Sequence, residues 1–346
     1  MRYFVFLSFL GFIQCKTAQL NRVDVSKTQT IILCDSIQSA TLIVTDYTDR
    51  FFEKINDLDI SIQMNQRFEE GTSHRTILNS YLTFLQKDVG NFSKAETIFV
   101  QDCLKEVVST CKVLNINILP SDLFLIKSKA KQYGEGTWYT RENCIVVPYD
   151  ALDKRNRAEF IGTLYHEIFH CYSRANPEKR VELYALIGFK ATTKPLNMPT
   201  PLKNRILLNP DGVNYATKID LVQSPDRTIA AFPILYSTEY QLVAKKNKFF
   251  DYMGFALYEA IDEPPHIDVM TKSDGFSSTI DLKEQPDFMR QIGDNTGYII
   301  HPDEVLADNF MFVCNSIKEP KSLDKFSAEG KILIKKVRDI VVRNGL

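Results

Sequence analysis

No stretch of the sequence reaches the ~20 consecutive apolar residues that a membrane-spanning helix requires. An excess of charge of one sign is also missing, since 42 basic residues stand against 43 acidic ones. A nucleic-acid partner is therefore not expected, because such proteins need a basic surface. Internal repeats and low-complexity tracts are absent as well. With 44% apolar residues in a chain of 346, the sequence predicts a globular protein with a sizeable core and no transmembrane segment.

The N-terminus has the outline of an export signal. Arg2 precedes an uncharged, mostly apolar stretch over residues 3–13, followed by Gln-Cys-Lys-Thr-Ala. This pattern predicts a signal peptide over residues 1–18 and an extracytoplasmic protein: secreted, periplasmic or lipid-anchored. Cys15 lies where a bacterial lipoprotein carries its lipid, although Gln14 departs from the small residue usual before it. A lipid anchor at Cys15 and simple cleavage both stay open.

The rest of the chain alternates between helical and extended patterns and predicts an α+β fold. Residues 19–120 are predicted to be mainly helical, and residues 121–190 combine a small mixed sheet with a helix over about 155–173. Residues 191–290 are rich in strands and loops. Residues 291–346 return to a helical pattern.

The helix predicted over 155–173 carries the motif His166-Glu167-Ile168-Phe169-His170. Residues four apart lie on one face of a helix, so the two imidazoles can bind one metal ion. Glu167 follows the first histidine directly and can act as a general base toward a water whose pKa the metal lowers. Histidine is rare here, with five in the chain, and the flanking residues are uncharged. The alternative is a pair of core histidines on an ordinary helix.

The segment Thr163-Leu-Tyr-His-Glu-Ile-Phe-His-Cys-Tyr172 resembles the extended motif of the zincin metallopeptidases. The resemblance covers residues 123–175 and 298–314, about a fifth of the chain. It implies a zincin-like catalytic core over residues 121–190 with one Zn²⁺ ion, an active-site helix and a strand-rich insertion. It also implies a peptide or protein substrate that binds in extended form at an edge strand, beside Trp138 and Tyr139.

Two histidines leave such a site one protein ligand short. Ser173 and Asn176 stand where the metzincin branch has Gly and His, so the chain departs from that branch. The gluzincin branch uses a glutamate on a later helix and an aspartate four residues further on. Glu304 and Asp308 match this spacing within residues 291–346, and the resemblance assigns Glu304 as third ligand and Asp308 as the partner of a ligating imidazole.

Glu182 is the alternative third ligand, because it lies much nearer to His170 in sequence. Tyr298 and His301 are further catalytic candidates, since either side chain could stabilise an oxyanion if the chain brings it to the metal with Glu304.

Together these features predict an exported zinc metallopeptidase in which Glu167 is the general base. Two alternatives remain open at this point. The first is a zinc hydrolase that acts on a non-protein amide such as peptidoglycan, and the second is a binding protein with a zincin fold and a weak site.

Overall fold

The computed structural model describes residues 21–343 and has an α+β fold with twelve α-helices and two six-stranded sheets. The predicted signal peptide and Cys15 lie outside the described residues. The helices are α1 (Ser36–Leu42), α2 (Phe51–Lys54), α3 (Asp57–Met64), α4 (His74–Lys87), α5 (Lys94–Leu114), α6 (Arg157–Ala175), α7 (Pro177–Leu186), α8 (Thr200–Lys203), α9 (Phe249–Tyr252), α10 (Pro286–Ile292), α11 (Pro302–Lys318) and α12 (Ala328–Val341). The strands are β1 (Arg22–Asp24), β2 (Thr30–Leu33), β3 (Val89–Gly90), β4 (Asp122–Ser128), β5 (Tyr139–Arg141), β6 (Cys144–Pro148), β7 (Phe189–Ala191), β8 (Leu196–Asn197), β9 (Thr217–Ser224), β10 (Arg227–Ser237), β11 (Met253–Glu263) and β12 (His266–Val269).

The first sheet is mixed, with the strand order β1-β2-β4-β6-β5 and β3 paired with the end of β4. Strands β2, β4 and β6 are parallel, and β5 runs antiparallel to β6 at the edge. Residues 22–33 thus supply two short strands to this sheet, ahead of the five helices that lie between Ser36 and Leu114. The run Thr30-Ile-Ile-Leu33 is mostly buried, and three apolar residues in a row do not distinguish a strand from a helix.

Each face of the first sheet has its own core, because side chains alternate along a strand. In β6, Ile145 and Val147 pack with the core that includes α5, α6, α11 and α12. Cys144 and Val146 face the opposite core, which includes residues of α3 and α4. The six cysteines within the described range are all buried and carry free thiols.

The second sheet has the order β7-β9-β10-β11-β12-β8. All its pairs are antiparallel except the short parallel contact between β12 and β8. A small core of its own contains Phe232, Ile234 and Tyr258. Nowhere in residues 21–343 does a helix have the length and apolar character needed to cross a bilayer.

Helices α6 and α11 pack against each other and position the site. Phe160, Leu164 and Ile168 form the apolar stripe of α6 that enters the core. Helix α11 begins at Pro302, whose missing N–H suits the first helical position, and the His301 side chain accepts a hydrogen bond from the N–H of Asp303.

Candidate metal centre

Three buried side chains from α6 and α11 converge on one point. The imidazole centroids of His166 and His170, one turn apart on α6, are separated by 4.8 Å. Glu304 lies in the first turn of α11, and its Oε2 is 3.0 Å from His166 Nε2 and 3.3 Å from His170 Nε2. The three ligand atoms lie within 4.8 Å of one another, so this predicted grouping could hold a metal ion.

The hydrogen bonding of His170 fits such an ion. Its side chain is 1% exposed, and its Nε2 has no hydrogen-bond partner among the described residues. Leaving a buried polar atom unpaired costs free energy. A cation held by His166, His170 and Glu304 would satisfy this nitrogen.

Carboxylates fix the far side of both rings. The Nδ1 of His166 is 2.9 Å from Oδ1 of Asp308, and Oδ2 of the same carboxylate accepts a hydrogen bond from the Thr296 hydroxyl. The Nδ1 of His170 is 2.7 Å from Oδ2 of Asp303. Each contact turns Nε2 toward Glu304, as carboxylates hydrogen-bonded to metal-ligating histidines do. Asp308 is the partner predicted from the sequence, whereas Asp303 has no predicted role.

Asp303 and Glu304 are themselves held by neighbouring groups. The Oδ1 of Asp303 accepts hydrogen bonds from the hydroxyls of Ser173 at 2.6 Å and Tyr184 at 2.9 Å. Asn209, in the loop between α8 and β9, donates from Nδ2 to Oε1 of Glu304 at 2.7 Å. The second oxygen of Glu304 is therefore left to face the histidines.

The electrostatics keep Glu304 anionic. Burial alone would raise the pKa of Glu304, but the charge of His170 and the hydrogen bond from His166 hold it well below its usual range. Burial alone would lower the pKa of His166, but its bonds to Asp308 and Glu304 raise it to about 10. A carboxylate between two imidazoles attracts a proton or a metal cation, and the two compete for the same nitrogens.

Glu167 lies beside this centre without belonging to it. Its side chain is 3% exposed, and its Oε2 has no hydrogen-bond partner in the described part of the chain. Burial raises the pKa of Glu167 to about 8, and the neighbouring Asp211 adds to the effect. A carboxyl group in this range can both accept and return a proton near neutral pH.

Asp211 is a site residue that the sequence analysis missed. Glu167, His170 and Asp211 form a second group of ligand atoms within 4.8 Å of one another. Asp211 accepts a hydrogen bond from the backbone N–H of Thr140 at 2.8 Å. No local pattern marks Asp211 or Asn209, because both reach the site from a loop through long-range contacts.

A cleft of about 590 Å³ opens onto the metal centre. Trp138, Thr163 and Glu167 line it together with His166 and Tyr298. The Tyr298 ring stacks on His166 with centroids 6.1 Å apart and an interplanar angle of 27°. Two predicted site residues, Trp138 and Tyr298, are therefore at the cleft wall.

The structure corrects the prediction for Tyr139. This side chain is 3% exposed and donates its hydroxyl to Gln132 Oε1 at 2.5 Å, in the core on the other face of the sheet. Neighbouring residues of an extended chain point to opposite faces. Trp138 therefore reaches the cleft, whereas Tyr139 points away from it. Strand β5 is the predicted edge strand, but the N–H of Thr140 is already bound by Asp211.

The predictions for His301 and Glu182 also need correction. His301 does not line the cleft, and its Nδ1 accepts the N–H of Asp303 at 3.1 Å as the cap of α11. Glu182 lies on the surface of α7, where it accepts a hydrogen bond from Arg343 at 2.7 Å. Its carboxylate therefore forms a surface ion pair and is not a neighbour of the histidines.

Comparison of this chain with models of protein families, with curated proteins and with solved structures finds no match.

Proposed function

We propose that this chain is a zinc-dependent metallopeptidase of the gluzincin type. His166, His170 and Glu304 would hold one Zn²⁺, and Glu167 would be the general base. The observation that carries the proposal is the convergence of Glu304 Oε2 on both Nε2 atoms, 3.0 and 3.3 Å away, with the unpartnered carboxylate of Glu167 beside them. Two imidazoles and one carboxylate form a common ligand set of catalytic zinc sites.

When bound, the metal would lower the pKa of a water and polarise the substrate carbonyl. Glu167 takes the proton as the water oxygen adds to the scissile carbonyl carbon. It then delivers this proton to the amide nitrogen as the C–N bond breaks, so that one water and one peptide yield a carboxylate and an amine. Tyr298 stacks on His166 at the cleft wall, and its phenol is the candidate donor to the oxyanion.

The test combines metal content with hydrolysis. Purified wild-type protein is expected to contain one zinc per chain and to cleave a mixed pool of peptides. Glu304→Ala is expected to lose the zinc, and Glu167→Gln is expected to keep it while hydrolysis falls at least ~100-fold. Glu182→Ala is the matched control, since this exposed glutamate on the next helix should leave both quantities unchanged.

Equal zinc in Glu304→Ala would remove this residue from the ligand set, and undiminished hydrolysis by Glu167→Gln would overturn the mechanism. The same assay run with muropeptides separates a peptidase from an enzyme of cell-wall amides. Zinc without hydrolysis of either class would indicate a binding protein. Export is proposed on the N-terminal sequence alone.

A further inference from the structure

The geometry points to a substrate with a basic side chain, lysine or arginine, bound within about three residues of the scissile bond. This inference rests on the proposed peptidase function, because it names the substrate class for the same cleft. The basic side chain would lie against the Trp138 ring, among three carboxylates that we call the rim carboxylates: Glu135, Asp150 and Glu159.

The charge of the cleft is one-sided. Of the eighteen residues that line it, seven are Asp or Glu, and among these described lining residues none is Lys or Arg. Four of the seven belong to the metal centre or its surroundings. The other three are the rim carboxylates, and within residues 21–343 none of them forms an ion pair. The nearby arginines form ion pairs with other carboxylates: Arg155 with Asp153, and Arg157 with Glu106.

Two carboxylate oxygens in this cleft are buried and without a hydrogen-bond partner among the described residues. One is Oε2 of Glu167, on a side chain that is 3% exposed and faces the cleft. The other is Oδ1 of Asp150. Both oxygens are unpaired acceptors on the cleft wall, and they suit a ligand that donates protons or carries positive charge. An unpaired buried carboxylate oxygen is costly until such a ligand arrives.

The rim carboxylates do not form a second metal site. In the described part of the chain, the groups of ligand atoms that lie within 4.8 Å of one another do not include Glu135, Asp150 or Glu159. Carboxylates that are not gathered around one point suit a cation on a long, flexible side chain. A peptide with a lysine or arginine has this form, because its ammonium or guanidinium group can reach past the metal centre.

The spacing of residues along α6 indicates how far the basic residue of the peptide lies from the scissile bond. Glu159, Thr163, His166 and His170 follow one another at intervals of three or four residues, so they share one face of the helix. Glu159 precedes His166 by about 10 Å along the helix axis. An extended peptide advances about 3.3 Å per residue, so a cation near Glu159 belongs to a residue about three positions from the scissile bond.

The Trp138 ring would add a cation–π contact to the binding of the basic side chain. The ring lines the cleft and is braced edge-on by Phe160, with centroids 5.0 Å apart. A tryptophan face attracts the head group of a lysine or arginine through the negative potential of its ring. Carboxylates near the ring would direct the cation onto it.

Trp138 also makes the inference testable without catalysis, because it is the single tryptophan of the chain. Its fluorescence, excited where tyrosine does not absorb, reports the occupancy of the cleft. The experiment uses the Glu167→Gln variant, which binds without cleaving, and three peptides of equal length that differ only in one residue: Arg, Gln or Glu. We expect the Arg peptide to bind at least tenfold more tightly than the Gln peptide, and the preference to shrink as salt is added.

The contribution of the rim carboxylates is tested in the same Glu167→Gln variant. Adding Glu135→Gln and Glu159→Gln together should reduce the Arg preference at least threefold, and Asp150→Asn should reduce it further. The double rim variant changes only exposed side chains, so it keeps the test valid if Asp150→Asn fails to fold. Glu178→Gln, an exposed glutamate on α7 outside the cleft, is the matched control and should leave the preference unchanged.

Equal affinity for the Arg and Gln peptides would overturn the inference, as would a preference that survives the rim substitutions. Either result is compatible with an active zinc peptidase, since hydrolysis of neutral peptides by wild-type protein is measured separately. Conversely, tight binding of the Arg peptide by a protein that cleaves nothing would support the cationic cleft and contradict the proposed function.

Discussion

His170 donates its Nδ1–H to Oδ2 of Asp303 across 2.7 Å, although 133 positions separate the two residues in sequence. Burial alone would raise the pKa of Asp303, but the hydrogen bond and charge of His170 lower it to about 2. The carboxylate is therefore an acceptor at every ordinary pH. This leaves Nε2 of His170 as the nitrogen that faces Glu304.

Replacing Asp303 tests whether this contact prepares the metal centre. Asp303→Asn keeps the size of the side chain but has only one oxygen for three donors: His170, Ser173 and Tyr184. We expect zinc affinity to fall on the order of 10- to 100-fold. Competition with a chelator of known zinc affinity measures it. Asp324→Asn, which changes an exposed carboxylate, is the control, and an affinity unchanged by Asp303→Asn would show that the contact is only structural.

A close approach at Gly212 links the loop of Asp211 to helix α11. A Cβ at this position would lie 2.4 Å from Nδ1 of His301, the atom that caps α11. Gly212→Ala should therefore displace the cap, lower the free energy of unfolding by about 1–3 kcal/mol and weaken zinc binding.

Urea denaturation with and without zinc measures both effects of Gly212→Ala. Gly90→Ala is the matched control, because a Cβ there meets no atom within 4 Å. A variant at Gly212 as stable as the one at Gly90 would mean that His301 moves freely, and the cap would then have no part in placing Glu304.

The sequence predicts the elements whose signals are local. Helix α5 runs over Lys94–Leu114 within the region predicted to be mainly helical, where Ser93 and Glu96 form a capping box and the apolar residues recur at helical spacing. The candidate metal ligands are predictable for a related reason. His166 and His170 lie four apart on α6, and Glu304 and Asp308 lie four apart on α11, so only the meeting of the two helices had to be assumed.

The contacts that cross between distant segments could not be predicted from one sequence. Asn209 reaches Glu304 across 95 positions and Asp211 reaches Thr140 across 71, and no spacing rule connects them. The position of Tyr139, by contrast, follows from a local rule. The alternation of side chains along a strand sends Trp138 and Tyr139 to opposite faces.

Arg174 is predicted to stabilise the wall behind the cleft. It lies one turn after His170, and its side chain is 5% exposed. Its guanidinium donates to Asp49 at 2.5 Å, to the Glu142 carbonyl at 2.8 Å and to the Thr140 hydroxyl at 2.9 Å. Arg174→Leu leaves Asp49 buried without its cation and should cost about 3–5 kcal/mol of unfolding free energy.

Two further variants separate the charge of Arg174 from its geometry. Arg174→Lys should lose less stability than Arg174→Leu, because it keeps the charge but not the fork of donors. Asp49→Asn should restore part of the loss when combined with Arg174→Leu, since it removes the unpaired charge. Urea denaturation measures each free energy, and a loss below about 0.5 kcal/mol in Arg174→Leu would contradict the assignment.

Asp59 is predicted to make stability depend on pH. It is completely buried, and its two oxygens accept hydrogen bonds from the Leu208 N–H at 2.9 Å and Gln63 Nε2 at 2.7 Å. Burial raises the pKa of Asp59 to about 7, although these two bonds lower it in part. In the unfolded chain the pKa of an aspartate is about 3.9. Between these two values the folded state holds a proton that the unfolded state has lost.

The free energy of unfolding contributed by Asp59 should therefore fall as pH rises from about 4 to about 7, by up to about 1.4 kcal/mol per unit, and stay constant above that. Asp59→Asn removes the titration but keeps the shape, so its stability relative to wild type should rise between about pH 5 and about pH 8. Urea denaturation at both pH values measures this difference, with the exposed Glu70→Gln as control. A difference that does not change with pH would mean that water or a rearranged Gln63 keeps the Asp59 carboxylate charged in the folded protein.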